Sequence, residues 1–163
     1  GVMLLTPLSV ARYISTIANR GTVYKASLLD SVYNSDGTLY KTIEPEIDHV
    51  VEAPAEYWDL LYEGMEDVVS AEEGGTAAAS FSREFRDTYL KRLVGKTGTA
   101  QTATTSAVNV DIENTAWFVA AFPKEDPQIA VVVYIPNGLS GSSNALAVER
   151  IATWWFENRY TGA

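Results

Sequence analysis

The sequence has no cysteine. That excludes a disulfide framework and thiolate metal sites, and it leaves the compartment open, since many secreted proteins also lack cysteine. Histidine is almost absent: His49 stands alone, so any triad built on an imidazole would rest on that residue. Positive charge is scarce, with 12 Lys and Arg against 21 Asp and Glu, a net charge of -9 and a pI of about 4.5. An acidic surface repels nucleic-acid backbones and anionic lipid headgroups, so no nucleic-acid partner is expected. No apolar run reaches the ~18 residues of a membrane span, and no signal peptide is visible. An initiator Met is also missing. The chain opens at Gly1 directly into "GVMLLTPL", which reads as an internal cut through a longer protein.

What is present suits one globular domain: 163 residues, 47% hydrophobic, with no internal repeat and no low-complexity linker. "TPLSVARYISTIANRG" predicts a helix capped by Thr6, with Pro7 in its first turn, an apolar face of Val10, Ile14 and Ile17, and a stop at Asn19 to Gly21. "TVYKASLLDSVYNSDGTLYKTIEP" predicts a hairpin around Asn-Ser-Asp-Gly. "AEYWDLLYEGMEDVVSAEE" predicts a helix with Trp58, Leu61, Met65, Val68 and Val69 on one side, ended by Gly74 and Gly75. "TAAASFSREF" predicts a further short helix, and "YLKRLVGKTGTAQT" an extended segment. "NTAWFVAAFP" and "QIAVVVYIPN" predict two strands around the tight turn "KEDP". The second is almost wholly apolar and reads as a central strand buried on both faces. "SNALAVERIATWWFENRY" predicts a closing helix with Val148, Ile151, Ala152 and Trp155 inside. The expected class is α+β, an antiparallel sheet flanked by helices and ending in three consecutive strands.

The stretch "RLVGKTGTAQT" admits two chemistries. A phosphate-binding loop would need G-x-x-x-x-G-K-[ST], but the first glycine's position holds Leu90. It would also need a helix to begin at Lys96-Thr97, where Gly and β-branched Thr follow instead. On a strand, side chains alternate, so Lys96 and Gly98 point one way and Thr97 and Thr99 the other. The two hydroxyls can then hold one anion such as a carboxylate, Gly98 leaves room for a substrate backbone, and an edge N–H can face an oxyanion. The plain alternative is an ordinary edge strand with a glycine.

Beyond this tetrapeptide the chain resembles a known family, the transpeptidase domains of class B penicillin-binding proteins. "TPL" followed by "ANRG", "YWDLLYEGMEDVV", "GGTAAASF", "VGKTGTAQ", "AWFVAAFP" and "PQIAVVVYIPNG" occur in the family's order over nearly the whole chain. Residues 1–163 are identified by that resemblance as the C-terminal portion of a single transpeptidase domain of the elongation type. The resemblance implies a partial penicillin-binding-protein or β-lactamase-like fold, in which the family's sheet has five strands and the first two come from before the nucleophile helix. It implies a serine acyl-enzyme that cross-links peptidoglycan stem peptides and binds β-lactam antibiotics, without a metal or other cofactor. It also implies a parent held at the extracytoplasmic face of the bacterial membrane, working beside other cell-wall synthesis proteins. Lys96 would be the catalytic cation of the site. Thr97, Gly98 and Thr99 would bind the substrate, with the hydroxyls on the terminal carboxylate and the Thr99 N–H in the oxyanion hole.

One departure is sharp: no serine in the chain has a lysine three places on, so the family's S-x-x-K nucleophile is not here. "SSN" at Ser142 to Asn144 fits the family's second motif as a string but follows KTG, and reads as a helix cap. The nucleophile and second motif are expected upstream of Gly1. The strand "QIAVVVYIP" and the Trp154-Trp155 helix would then present surface that the upstream part covers, so self-association is expected of this piece alone. A related serine β-lactamase or D,D-carboxypeptidase, or a non-catalytic β-lactam-sensing module, are the competing functions.

Other candidates have plainer readings beside them. His49 is either a base or a solvent-facing strand residue. Glu44, Glu46 and Asp48 form either a hard-cation site or a solvated edge. "TATTSAVNVDIE" is either a substrate gate or surface loop. Of Trp117 and Phe118, one enters the core and the other can approach the active-site strand. Incubated with a fluorescent penicillin, this chain alone is expected to show no covalent band at its own mass; such a band would contradict the reading.

Overall fold

The computed structural model describes residues 4–100, 114–138 and 140–160. The expected loop between the KTG segment and the next strand, residues 102–113, lies outside them.

Thr6 is extended and its hydroxyl accepts from the Ser9 amide at 3.1 Å, starting α1 (Pro7–Ala18), which buries Ile14 and Ile17. The helix stops where Arg20 and Gly21 take φ of 50° and 102°. Gly21 is required there, because a Cβ would lie 2.3 Å from the Val51 carbonyl oxygen.

The Asn-Ser-Asp-Gly turn forms between β2 (Ser31–Tyr33) and β3 (Leu39–Thr42), with the Asp36 carboxylate accepting from the Thr38 amide and hydroxyl. The run expected as the hairpin's first arm divides, however. β1 (Thr22–Tyr24) leaves it and pairs antiparallel with β4 (Ile47–Val50). Between them Ser27 bends the chain by exchanging hydrogen bonds with the Leu29 main chain.

α2 (Ala55–Val69) buries Met65 and Val69 and ends before the expected boundary. Ser70 turns extended, and Gly75 closes back on its carbonyl at 2.8 Å. A Cβ on Gly75 would lie 2.2 Å from the Asp67 carbonyl oxygen, so the chain doubles back only at glycine. Leu61 stays exposed, against expectation. The helix expected over Thr76 to Phe85 is two pieces, a 3₁₀ turn at Ala78–Ser80 and α3 (Arg83–Thr88). Ser82 divides them by capping Phe85's amide at 3.2 Å. Leu90–Arg92 is likewise a 3₁₀ turn where an extended run was expected.

The sheet at the centre contains β5 (Val94–Ala100), β6 (Thr115–Phe122) and β7 (Ile129–Ile135), antiparallel and in that order. The consecutive meander is as expected, and the edge of β7 left open is the one expected to take an upstream strand. β6 is central, and β7 is an edge among the described residues, with Tyr134 and Ile135 exposed. α1 and α4 (Ala145–Asn158) pack against opposite faces of β7. Three strands form this sheet among the described residues, as expected once the first two of the family's five are assigned to sequence before the nucleophile.

β6 divides the core. Phe118, Ala120 and Phe122 face α3 and α4, while Val119 and Ala121 face α1 and α2. On α4, Phe156 is buried and Ile151 exposed, reversing the expectation for Ile151. Phe156 is drawn in by aromatic partners: Tyr89 stacks on it at 4.8 Å, Phe122 lies 5.6 Å away, and the Arg92 guanidinium sits 5.0 Å over its ring.

Arg12 of α1 donates to Asp48 of β4 at 2.9 Å and holds that carboxyl below the usual carboxylate range, joining helix to ribbon. Truncating Phe118 to Ala is expected to cost about 3–5 kcal/mol in denaturant unfolding; a loss below about 1 kcal/mol would contradict its place in the core. Because Asp48's value is lowered in the fold, its contribution is full at neutral pH and fades as pH falls through that value. The urea midpoints of wild type and Asp48→Asn should therefore converge in acid; a constant gap would contradict the pairing.

Candidate active site

β5 begins in the core and emerges from it. Val94 is fully buried, Gly95 is buried, Thr97 and Gly98 are half-buried, and Lys96, Thr99 and Ala100 are exposed. Its start is held by α2, since Val94 packs with Met65. From Thr97 onward no strand of the described residues lies along its outer margin.

The register Val94↔Ala121, Lys96↔Val119, Gly98↔Trp117 sets which groups face that margin. The Arg92 carbonyl accepts from the Lys124 amide on the β6 side, which puts Val94, Lys96 and Gly98 in the set bonded to β6. Thr97 and Thr99 then turn their main-chain N–H and C=O outward. In keeping with this, the Lys96 ammonium reaches round to the Thr97 carbonyl at 2.8 Å.

Side chains divide by face. Lys96 and Gly98 share the face of Trp117 and Val119, where with Thr97, Leu5 and Val10 they line a cleft of about 270 Å³. Trp117 packs on Tyr134 at 4.4 Å, while Phe118 is fully buried on the other side. Gly98 keeps Trp117 in place, since a Cβ would lie 3.2 Å from the Trp117 Cβ. Thr97 and Thr99 share the opposite face. The Thr97 hydroxyl lies 3.1 Å from that of Thr76, and the Thr99 hydroxyl accepts from the Gly141 amide at 3.2 Å. The site therefore combines a cation, two anchored hydroxyls and outward N–H groups, a donor set suited to an extended peptide ending in a carboxylate. Thr76 and Gly141 were not singled out as site residues from the sequence; Thr76 lies in the quoted "GGTAAASF", whereas nothing local to Gly141 points to β5.

The remaining candidates lie elsewhere. His49 is on exposed β4, its Nδ1 3.4 Å from Asp48. Glu46 pairs with Lys25 and Asp48 with Arg12, so the carboxylates of that strand meet cations from other elements. Among the described residues no three His, Asp or Glu side chains gather as metal ligands. Asn144 does not cap α4 with its side chain, as had been expected. It is 1% exposed and donates instead to the carbonyls of Ala116 and Val133, at 3.1 and 3.3 Å.

The family model described as the penicillin-binding protein transpeptidase domain matches residues 1–153. Peptidoglycan D,D-transpeptidase MrdA of Haemophilus influenzae is 27% identical over 98% of this chain and 25% of its own length. Penicillin-binding protein 2B of Streptococcus pneumoniae is 30% identical over 81% of this chain and 19% of its own length. The solved structure of that protein superposes over 97% of this chain with a TM-score of 0.76, at 24% identity and 26% of its length. Pseudomonas aeruginosa PBP2 gives 0.64 at 31% identity, over 98% of this chain and 32% of its own. The chain thus spans about a quarter or less of the curated relatives named here. With its β5–β6–β7 sheet and KTG strand, it belongs to the penicillin-binding protein transpeptidase family and resembles the class B, PBP2-type members.

Proposed function

We propose that the chain is the C-terminal portion of the transpeptidase domain of a peptidoglycan D,D-transpeptidase, and that β5 is the strand along which the stem peptide lies. The reading is carried by one observation: Lys96 to Thr99 occupy a sheet margin that no strand of the described residues pairs, with two anchored hydroxyls on one face and a lysine on the other. In the proposed complex the D-Ala-D-Ala terminus runs antiparallel to β5. Its carboxylate accepts from the Thr97 and Thr99 hydroxyls. The outward Thr99 N–H donates to the scissile carbonyl oxygen as it becomes an oxyanion, an interaction whose loss typically costs about 3 kcal/mol in the barrier. Lys96 supplies the positive charge beside the reacting centre. The serine that attacks the carbonyl, expelling the terminal D-Ala before the acyl group passes to an acceptor amine, comes from sequence outside this chain. A β-lactam occupies the same place, its carboxylate on the same hydroxyls. The intact protein acts at the extracytoplasmic face of the membrane beside other cell-wall synthesis proteins.

In the intact protein, Thr99→Val should slow acylation by a carboxylate-bearing penicillin about tenfold to a hundredfold, the range for a hydrogen bond to a charged group. Thr99→Ser should retain most of the rate. Equal rates for wild type and Thr99→Val would contradict the assignment.

A further inference from the structure

Thr99 is held from outside its own strand. Its Oγ1 accepts from the main-chain N–H of Gly141 at 3.2 Å. A main-chain N–H can only donate, so this contact consumes one acceptor position of the hydroxyl and leaves its proton to be given elsewhere. The contact requires glycine. A Cβ on residue 141 would lie 2.6 Å from the Gly98 carbonyl oxygen, 2.6 Å from that of Trp117 and 2.7 Å from the Gly98 nitrogen. The 3₁₀ turn Gly141–Asn144 that carries it is anchored in turn. Buried Asn144 donates to carbonyls on both β6 and β7, at 3.1 and 3.3 Å, and the Ser140 and Ser142 hydroxyls meet at 3.0 Å. A continuous path therefore runs from the middle of the sheet through this turn to the Thr99 hydroxyl.

We propose that Gly141 is a positioning residue: its main-chain N–H fixes the Thr99 hydroxyl as a donor aimed at the substrate's carboxylate. The proposal rests on β5 being the carboxylate site. A carboxylate only accepts, so a freely turning hydroxyl would spend part of its time presenting lone pairs to it. Occupying one lone pair in advance excludes the orientation that turns the proton toward Gly141 and holds the side-chain rotamer, so fewer unproductive orientations remain when the substrate arrives, as with preorganised donors generally.

The test uses the intact protein and two changes at residue 141. Gly141→Ala forces the turn away from β5; an amide-to-ester replacement removes the N–H without adding a Cβ, and otherwise only weakens the Ser140 carbonyl that accepts from the Ser143 amide. Acylation is measured with a penicillin and with its methyl ester, which presents no carboxylate. The ester replacement is expected to slow the penicillin about tenfold, leave the methyl ester unchanged and add nothing in a Thr99→Val background, while Gly141→Ala, whose Cβ meets the Gly98 main chain, should slow the penicillin at least as much. An equal loss on both substrates, or a loss that persists in the Thr99→Val background, would show a purely structural role and overturn the proposal. If Thr99→Val itself fails to distinguish penicillin from its ester, the carboxylate reading falls, and this proposal with it.

Discussion

An antiparallel ladder gives every second residue's main-chain groups to the neighbouring strand and turns the others away. β5 has one such neighbour among the described residues, and its register on β6 decides everything that follows. Val94, Lys96 and Gly98 face β6 with their backbone; Thr97 and Thr99 face outward with theirs. Shifting that register by one residue would exchange the sets and move the hydroxyls to the Trp117 face. β6 is what prevents the slip. Phe118, Ala120 and Phe122 fill one core while Val119 and Ala121 fill another, so neither face can exchange its residues.

The flanking elements hold the outward groups rather than form them. α2 packs on the buried start of β5 and, through the turn at Gly75, brings Thr76 to Thr97. The segment after β7 brings Gly141 to Thr99. Each hydroxyl of β5 thus has one partner from a different part of the chain. The cation lies on the other face, with its ammonium on the Thr97 carbonyl. A strand margin built this way can receive an extended chain without rearranging first, which is where preorganisation reduces the cost of binding.

Much of this was legible in the sequence because it is locally encoded. Thr6-Pro7 opens α1, Asn-Ser-Asp-Gly turns the hairpin, and the alternation of Trp117 and Phe118 across a strand sends one of them into the core. The errors share a cause, the distance between local pattern and tertiary partner. Ile151 has the period of a buried residue, yet Phe156 is the one with aromatic neighbours. Ser82 interrupts an otherwise helical run because its hydroxyl caps the next turn. Of the candidate site, Lys96 to Thr99 stand out from the motif. Gly141 could not, since 42 residues separate it from the hydroxyl it holds.

Amide hydrogen exchange read residue by residue along β5 of the intact protein, with and without a bound penicillin, tests the central geometry most directly. The account predicts that Lys96 and Gly98 amides are protected in both states, while Thr97 and Thr99 amides exchange rapidly until the ligand binds and Thr99 then becomes protected. Uniform protection along the strand without ligand, or rapid exchange at Gly98 with protection at Thr97 and Thr99, would contradict it.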